Sequence, residues 1–217
     1  MTKKLFLTLT ITALFFTNCA TRQASVAEAL TVVEALETTA THDYGVVING
    51  IRWATRNVDA PGTFAPYPES SGMLFQWNRK KGWNAVDRYV EDWDFLGASG
   101  INVKWEKEND PCPTGWRVPT YEELQSLYNS GSIWTTQRRI NGRLFGTAPY
   151  QIFLPVAGHR GINGVLFGAS ETALYWSNTL YHNHMKNAWG LTFEDDYAIV
   201  WHFYRVAGFS IRCIAIQ

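Results

Sequence analysis

The chain has 217 residues, with 19 basic and 19 acidic side chains balancing to a formal charge of zero. Such a chain carries no basic footprint of the kind nucleic-acid binders use, so no nucleic-acid partner is expected. The length suits one domain, or one domain with an appendage, and ten Trp, ten Tyr and twelve Phe supply enough apolar surface for a sizeable core.

The first 19 residues form a targeting pattern. Lys3 and Lys4 precede a short apolar run, residues 5–16, which ends at Thr17-Asn18-Cys19. A positive end followed by such a run reads as a leader, and the run is too short to span a membrane as a helix. Because the leader stops at a cysteine, it resembles a bacterial lipoprotein signal, with Cys19 the lipidated residue. Simple secretion with Cys19 discarded is the alternative. Either route places the folded part outside the cytoplasm; the lipoprotein reading implies a lipid-anchored protein of the cell envelope, on an undecided side of the outer membrane. Residues 20–42 are rich in Ala, Thr and Glu and lack aromatics. They read as a spacer with at most a brief helix near residues 26–36.

The folded domain is placed at residues 43–217. Val46-Val47-Ile48 and Ile51-Arg52-Trp53 flank Asn49-Gly50, a pair suited to a type I′ hairpin turn. Residues 62–71 are loop, and Met73-Leu74-Phe75-Gln76-Trp77 is a short apolar run before the solvated basic cluster Arg79-Lys80-Lys81. From residue 82 to 110, Trp83, Trp93 and Trp105 alternate with charge in an irregular excursion, either a binding loop or packed ornament. Thr120 and Glu123 make a capping-box pair after Pro119, and Leu124, Leu127 and Tyr128 then recur at helical spacing, which predicts a helix over Tyr121–Asn129. Residues 133–140 and 143–146 are read as strands around a second Asn-Gly turn at Asn141-Gly142. Residues 153–157 form a strand with Pro155 at an edge or bulge, and residues 158–168 a glycine-punctuated turn. Strands are also expected at 174–177, 188–193 and 209–214. The sum predicts an α+β domain with one main helix and a twisted antiparallel sheet. Cys112 and Cys213 are the cysteines left after the leader, and an exported chain allows them to bond.

The block Asp110-Pro111-Cys112-Pro113-Thr114-Gly115-Trp116-Arg117-Val118-Pro119-Thr120, followed by Glu122-Glu123-Leu124, resembles the Fibrobacter-type major paralogous domain. Residues 45–57, 72–77 and 153–158, Tyr175-Trp176-Ser177, and Gly208-Phe209-Ser210-Ile211-Arg212-Cys213 resemble further blocks of that family, in the same order. Trp116-Arg117-Val118-Pro119-Thr120 is also similar to its counterpart in formylglycine-generating-enzyme-type domains. The resemblance implies a C-type-lectin-like fold.

That resemblance raises and then weakens an enzyme reading. Formylglycine-generating enzymes use a reactive cysteine pair, whereas Cys112 and Cys213 stand at structural positions. The iron-dependent relatives need a histidine cluster, and only His182 and His184 are close in sequence, with no third ligand implied. No Gly-x-Ser-x-Gly elbow occurs, nor do the sugar-binding motifs of calcium-dependent lectins. Glu194-Asp195-Asp196 is either a calcium site or, as read here, a solvated turn. No metal, cofactor or catalytic residue is therefore assigned.

What remains is residues 178–204. Tyr181, His182, Asn183, His184, Asn187, Asp195, Tyr197, Trp201, His202 and Tyr204 are the expected ligand-binding residues, because Tyr, His, Asn and Trp bring contact area at small entropic cost. Trp201 and Phe203 could instead be one buried strand face, with His202 and Tyr204 pointing outward. The position is similar to the variable segment of retroelement-diversified lectin-fold proteins. The expected protein is a monomeric, adhesin-like binder of a protein or glycan, with a structural component of a surface assembly as the alternative.

Overall fold

The computed structural model describes residues 42–96 and 104–216. Cys19, the leader, residues 20–41 of the spacer and residues 97–103 of the Trp-rich excursion lie outside the described residues.

The described domain opens on the predicted hairpin. Strands β1 (Val46–Ile48) and β2 (Ile51–Trp53) pair in register Val46↔Trp53 and Ile48↔Ile51. Asn49 and Gly50 between them take φ of 51° and 80°, as a type I′ turn requires. β3 (Met73–Gln76) and β4 (Gly82–Asn84) follow, then a 3-10 turn (Lys107–Asn109) and β5 (Trp116–Arg117). Helix α1 (Tyr121–Asn129) starts at Thr120 with both halves of the capping box formed. β6 (Ser132–Gln137), β7 (Ile140–Thr147) and β8 (Tyr150–Pro155) make a meander. The remaining strands are β9 (His159–Arg160), β10 (Leu166–Phe167), β11 (Ala173–Leu180), β12 (Asn187–Phe193), β13 (Ala198–Tyr204), β14 (Gly208–Phe209) and β15 (Ile214–Ala215).

These strands form four antiparallel sheets, ordered β1-β2-β15-β5, β10-β9-β14-β3-β4, β11-β12-β13 and β6-β7-β8. The β11-β12-β13 sheet is the middle layer, because side chains alternate across a strand and here both faces are buried. Ala173, Tyr175, Leu191, Phe193 and Val200 enter one core with Leu124 and Leu127 of α1. Leu174, Trp176 and Ala188 enter a second core with Phe75, Trp77 and Phe209. Trp176 stacks on Phe209 at 4.0 Å and donates Nε1–H to the Phe75 carbonyl at 2.8 Å. β13 ends this sheet as its edge strand.

Polar side chains fasten the layers. Arg212, 1% exposed, donates to Asn57 Oδ1 at 2.7 and 3.1 Å and to the Ala54 carbonyl. Tyr175 donates its hydroxyl to the Pro155 carbonyl beside them, and burial pushes its pKa up to about 12. Cys112 and Cys213 are joined in a disulfide 101 residues apart, with Cα atoms 6.1 Å apart. Asp110 shapes the loop at one end of this bond, accepting from the Cys112 and Val118 amides at 2.9 and 3.1 Å.

Several expectations are corrected. With 41% strand and 7% helix among the described residues, the domain is nearly all-β, not α+β, and its strands divide among several small sheets instead of one twisted sheet. The helix was anticipated in place; the balance was not, since strands of two or three residues carry no readable period. The second hairpin turns at Arg138 and Arg139, with φ of 45° and 70°, so Asn141 and Gly142 lie inside β7. A Cβ on Gly142 would collide with the Leu154 carbonyl and come within 2.6 Å of the Phe153 ring, so packing, not turning, requires this glycine. The strand expected at 209–214 is two short strands, β14 and β15, in different sheets. Where described, the Trp-rich excursion is packed: Trp83, Trp93 and Trp105 are all buried. Arg160 holds it down by donating to the Gly164, Asn84 and Asp87 carbonyls at 2.6–2.9 Å.

Candidate functional site

The edge strand β13 brings most of the expected residues together. Its register with β12 sets Trp189 opposite His202, Gly190 opposite Trp201 and Asn187 opposite Tyr204. Beyond the start of α1, the core gives way to an aromatic ladder. Tyr121 of α1 meets Trp189 at 4.5 Å, Trp189 meets the edges of Tyr181 and His202, and Tyr181 stacks flat on His202 at 3.8 Å with 5° between rings. Asn187 Nδ2 lies 2.9 Å from His202 Nδ1. This contact holds the imidazole in place against the strand pair.

The loop between β11 and β12 frames this ladder. Backbone bonds close it, from the Tyr181 amide to the Asn187 carbonyl and from the Asn187 amide to the His184 carbonyl. His182, Asn183 and His184 are exposed on its outside, and His184 meets the edge of Tyr204 at 6.4 Å. On β13 itself, Trp201 is 51% and Tyr204 54% exposed, while Phe203 packs against the second core. The reading of Trp201 and Phe203 as one buried face is therefore corrected. Both point to the same side, but at the sheet's edge only Phe203 finds a layer to cover it.

Asp195 and Tyr197 do not join this cluster. They sit in the turn between β12 and β13, at the other end of β13 from Tyr204 along the backbone, although the Tyr197 and Tyr204 side chains both line one cavity beside this strand. Arg143 fixes that turn by donating to the Glu194 and Asp195 carbonyls at 2.9 and 3.0 Å. Among the described residues, no group of three or more His, Cys, Asp or Glu side chains is placed to hold a metal.

The structure adds a cavity that the sequence did not disclose. It lies on the Phe203 side of β13, measures about 400 Å³, and is walled by Leu174, Phe203, Phe209 and Ile162, with His159 and Glu194 among its polar groups. His159 has its Nδ1 buried without a hydrogen-bond partner, and burial lowers its pKa, keeping the ring neutral. Its ring lies between Phe167 and Phe209. Nothing in the glycine-rich turn at 158–168 marks His159 beforehand, because the chain reaches the cavity there only through the pairing of β9 with β14.

The chain matches no protein-family model, no curated protein and no solved structure.

Proposed function

We propose that this chain is a non-catalytic ligand-binding protein of the bacterial cell envelope, lipid-anchored at Cys19 and related to the Fibrobacter-type paralogous proteins it resembles. Its ligand is a protein or glycan, contacted by Tyr181, His184, Trp201, His202 and Tyr204. The observation that carries this reading is the exposure of Trp201 and Tyr204 beside the stacked Tyr181–His202 pair. Large aromatic side chains left half in water on a rigid strand are the groups that dominate binding energy at interfaces. Here Trp201 stacks on His202, which Asn187 holds, and Tyr204 meets the edge of His184, so little ordering cost remains on binding. A non-catalytic role is supported by Cys112 and Cys213, whose sulfurs are consumed in the disulfide.

Glycan-array and pull-down screens comparing wild type with Tyr181→Ala, Trp201→Ala and Tyr204→Ala test the assignment. At least one substitution is expected to weaken the captured interaction tenfold or more while the thermal midpoint holds. If all three leave every interaction intact, the site assignment fails. His202→Ala is a poorer probe, because it strands the buried Asn187 amide.

A second reading, a component of a surface assembly, draws on β13 being an edge strand with Ile199 and Trp201 exposed. Size-exclusion chromatography separates the two: a monomer at micromolar concentration argues against self-assembly.

A further inference from the structure

A second ligand site lies behind the edge strand, in the cavity shared by β9, β13 and β14. We propose that this cavity binds a cationic group carried on an apolar stem, an alkylammonium or guanidinium such as the end of a lysine or arginine side chain. This cavity shares Tyr204 with the outer aromatic face and otherwise draws on different residues.

Size comes first. A volume of about 400 Å³ accepts one long side chain and is too small for an oligosaccharide. The walls come next. Leu174, Ile162, Phe203 and Phe209 are apolar, and the faces of the aromatic rings carry the negative charge density that attracts cations. The polar groups then decide the sign. The Thr172 and Tyr197 hydroxyls both donate to Glu194 Oε1, at 3.3 Å each, so their protons are already used. Glu194 keeps lone pairs to offer. No lysine or arginine lines the cavity. The nearby Arg143 directs its guanidinium to backbone carbonyls and to Ser132 Oγ. The site thus offers a carboxylate acceptor, leaves the Tyr204 hydroxyl as a donor and holds no resident cation.

An anion would meet the Glu194 carboxylate with nothing to offset it, and a sugar would find few donors. A cationic N–H supplies what is missing, forming a charge-assisted bond to Glu194. Asp195 and Asp196, exposed in the same turn, add to the negative potential around Glu194. The Tyr197 phenol feels the same field: burial, then the Glu194 carboxylate, raise its pKa.

The test is an NMR or calorimetric titration of the purified protein with N-acetyl-lysine methylamide, butylammonium and the neutral N-acetyl-norleucine methylamide. The lysine derivative should bind saturably and at least tenfold more tightly than its norleucine counterpart. Butylammonium binding alongside it assigns recognition to the cation and stem alone; binding of the lysine derivative without butylammonium assigns a peptide source. Glu194→Gln should weaken the lysine derivative at least tenfold with the thermal midpoint unchanged, and Phe203→Leu should weaken it less. Equal binding of norleucine, no binding of either cation, or an unaffected Glu194→Gln variant would overturn the proposal. Tyr181→Ala should leave this titration unchanged, so its failure and a failure of the envelope-binding reading are separable.

Discussion

Arg138 and Arg139 occupy left-handed backbone that L-residues with a Cβ reach at a cost of about 1–2 kcal/mol each. Arg138 gains something in return, lying over the Tyr67 ring at 5.0 Å, whereas no such contact is seen for Arg139. Arg139→Gly should therefore stabilise the domain by about 1 kcal/mol, read as a rise in thermal midpoint. Gly142→Ala should do the opposite, costing about 1–3 kcal/mol because a Cβ has no room against Leu154 and Phe153. A neutral Gly142→Ala would contradict the close packing of β7 on β8. The pair explains why one Asn-Gly dipeptide was legible and the other misleading. At Asn49-Gly50 the local preference and the tertiary fold agree; at Asn141-Gly142 the neighbouring strand claims the glycine, and the turn falls on residues with no turn signature. Single residues of the candidate site follow the same rule. Their types were visible in the sequence, but the exposure of Trp201 depends on β13 having no neighbour, which no local pattern encodes.

At the level of elements, α1 was the most legible because its start is specified chemically. Glu123 accepts from the Thr120 amide at 2.7 Å, and Thr120 Oγ1 accepts from the Glu123 amide in return. The sequence did not show that Arg117 also grips Glu123 through both guanidinium nitrogens, at 2.9 and 2.6 Å, tying β5 to the cap. Burial opposes ionisation of Glu123, yet the Arg117 bonds and the Thr120 amide outweigh it and hold the carboxyl below its ordinary value of 4.5. A carboxyl depressed on folding stabilises the native state above its unfolded value, and that contribution is lost as pH falls through the folded one. Asp110 works the other way: burial exceeds the help from the Cys112 and Val118 amides and raises its pKa, so its ionisation costs stability at neutral pH. Glu123→Gln should thus lower the midpoint of chemical unfolding at pH 7, with the gap to wild type closing as pH drops below 4.5. A gap that stays constant across that range would mean that Glu123 acts through shape alone. The sheets were less legible than the helix. β5, β9, β10, β14 and β15 have two residues each, too few for alternation to declare itself. β11 was underestimated in length because its burial on both faces removes the polar half of the pattern.

Across the whole molecule, the Cys112–Cys213 bond joins the loop that feeds α1 to the residue before β15, the strand that lies between β2 and β5. Cys213 is fully buried in the second core, and its carbonyl accepts from the Ala54 amide at 2.9 Å. The pairing could be foreseen because few cysteines were available, while the layer arrangement it stabilises could not, since β15 reaches β2 and β5 from the far end of the chain. Closing a loop of about 100 residues removes roughly 4–5 kcal/mol of chain entropy from the unfolded state. A domain of this size loses about 2–4 °C of midpoint per kcal/mol. Reduction, or the double substitution Cys112→Ala with Cys213→Ala, should therefore lower the thermal midpoint by roughly 10–20 °C. The double alanine variant separates lost crosslinking from a buried thiol, because it places no polar atom in the core. The loss should fall unevenly: β15 and the Ala54 amide depend on the bond directly, whereas the β6-β7-β8 meander does not touch it. Hydrogen exchange on the reduced protein should consequently rise first at residues 53–54 and 213–216 and last in β7. A midpoint indifferent to reduction would show that the two cores hold the tail in place without the crosslink.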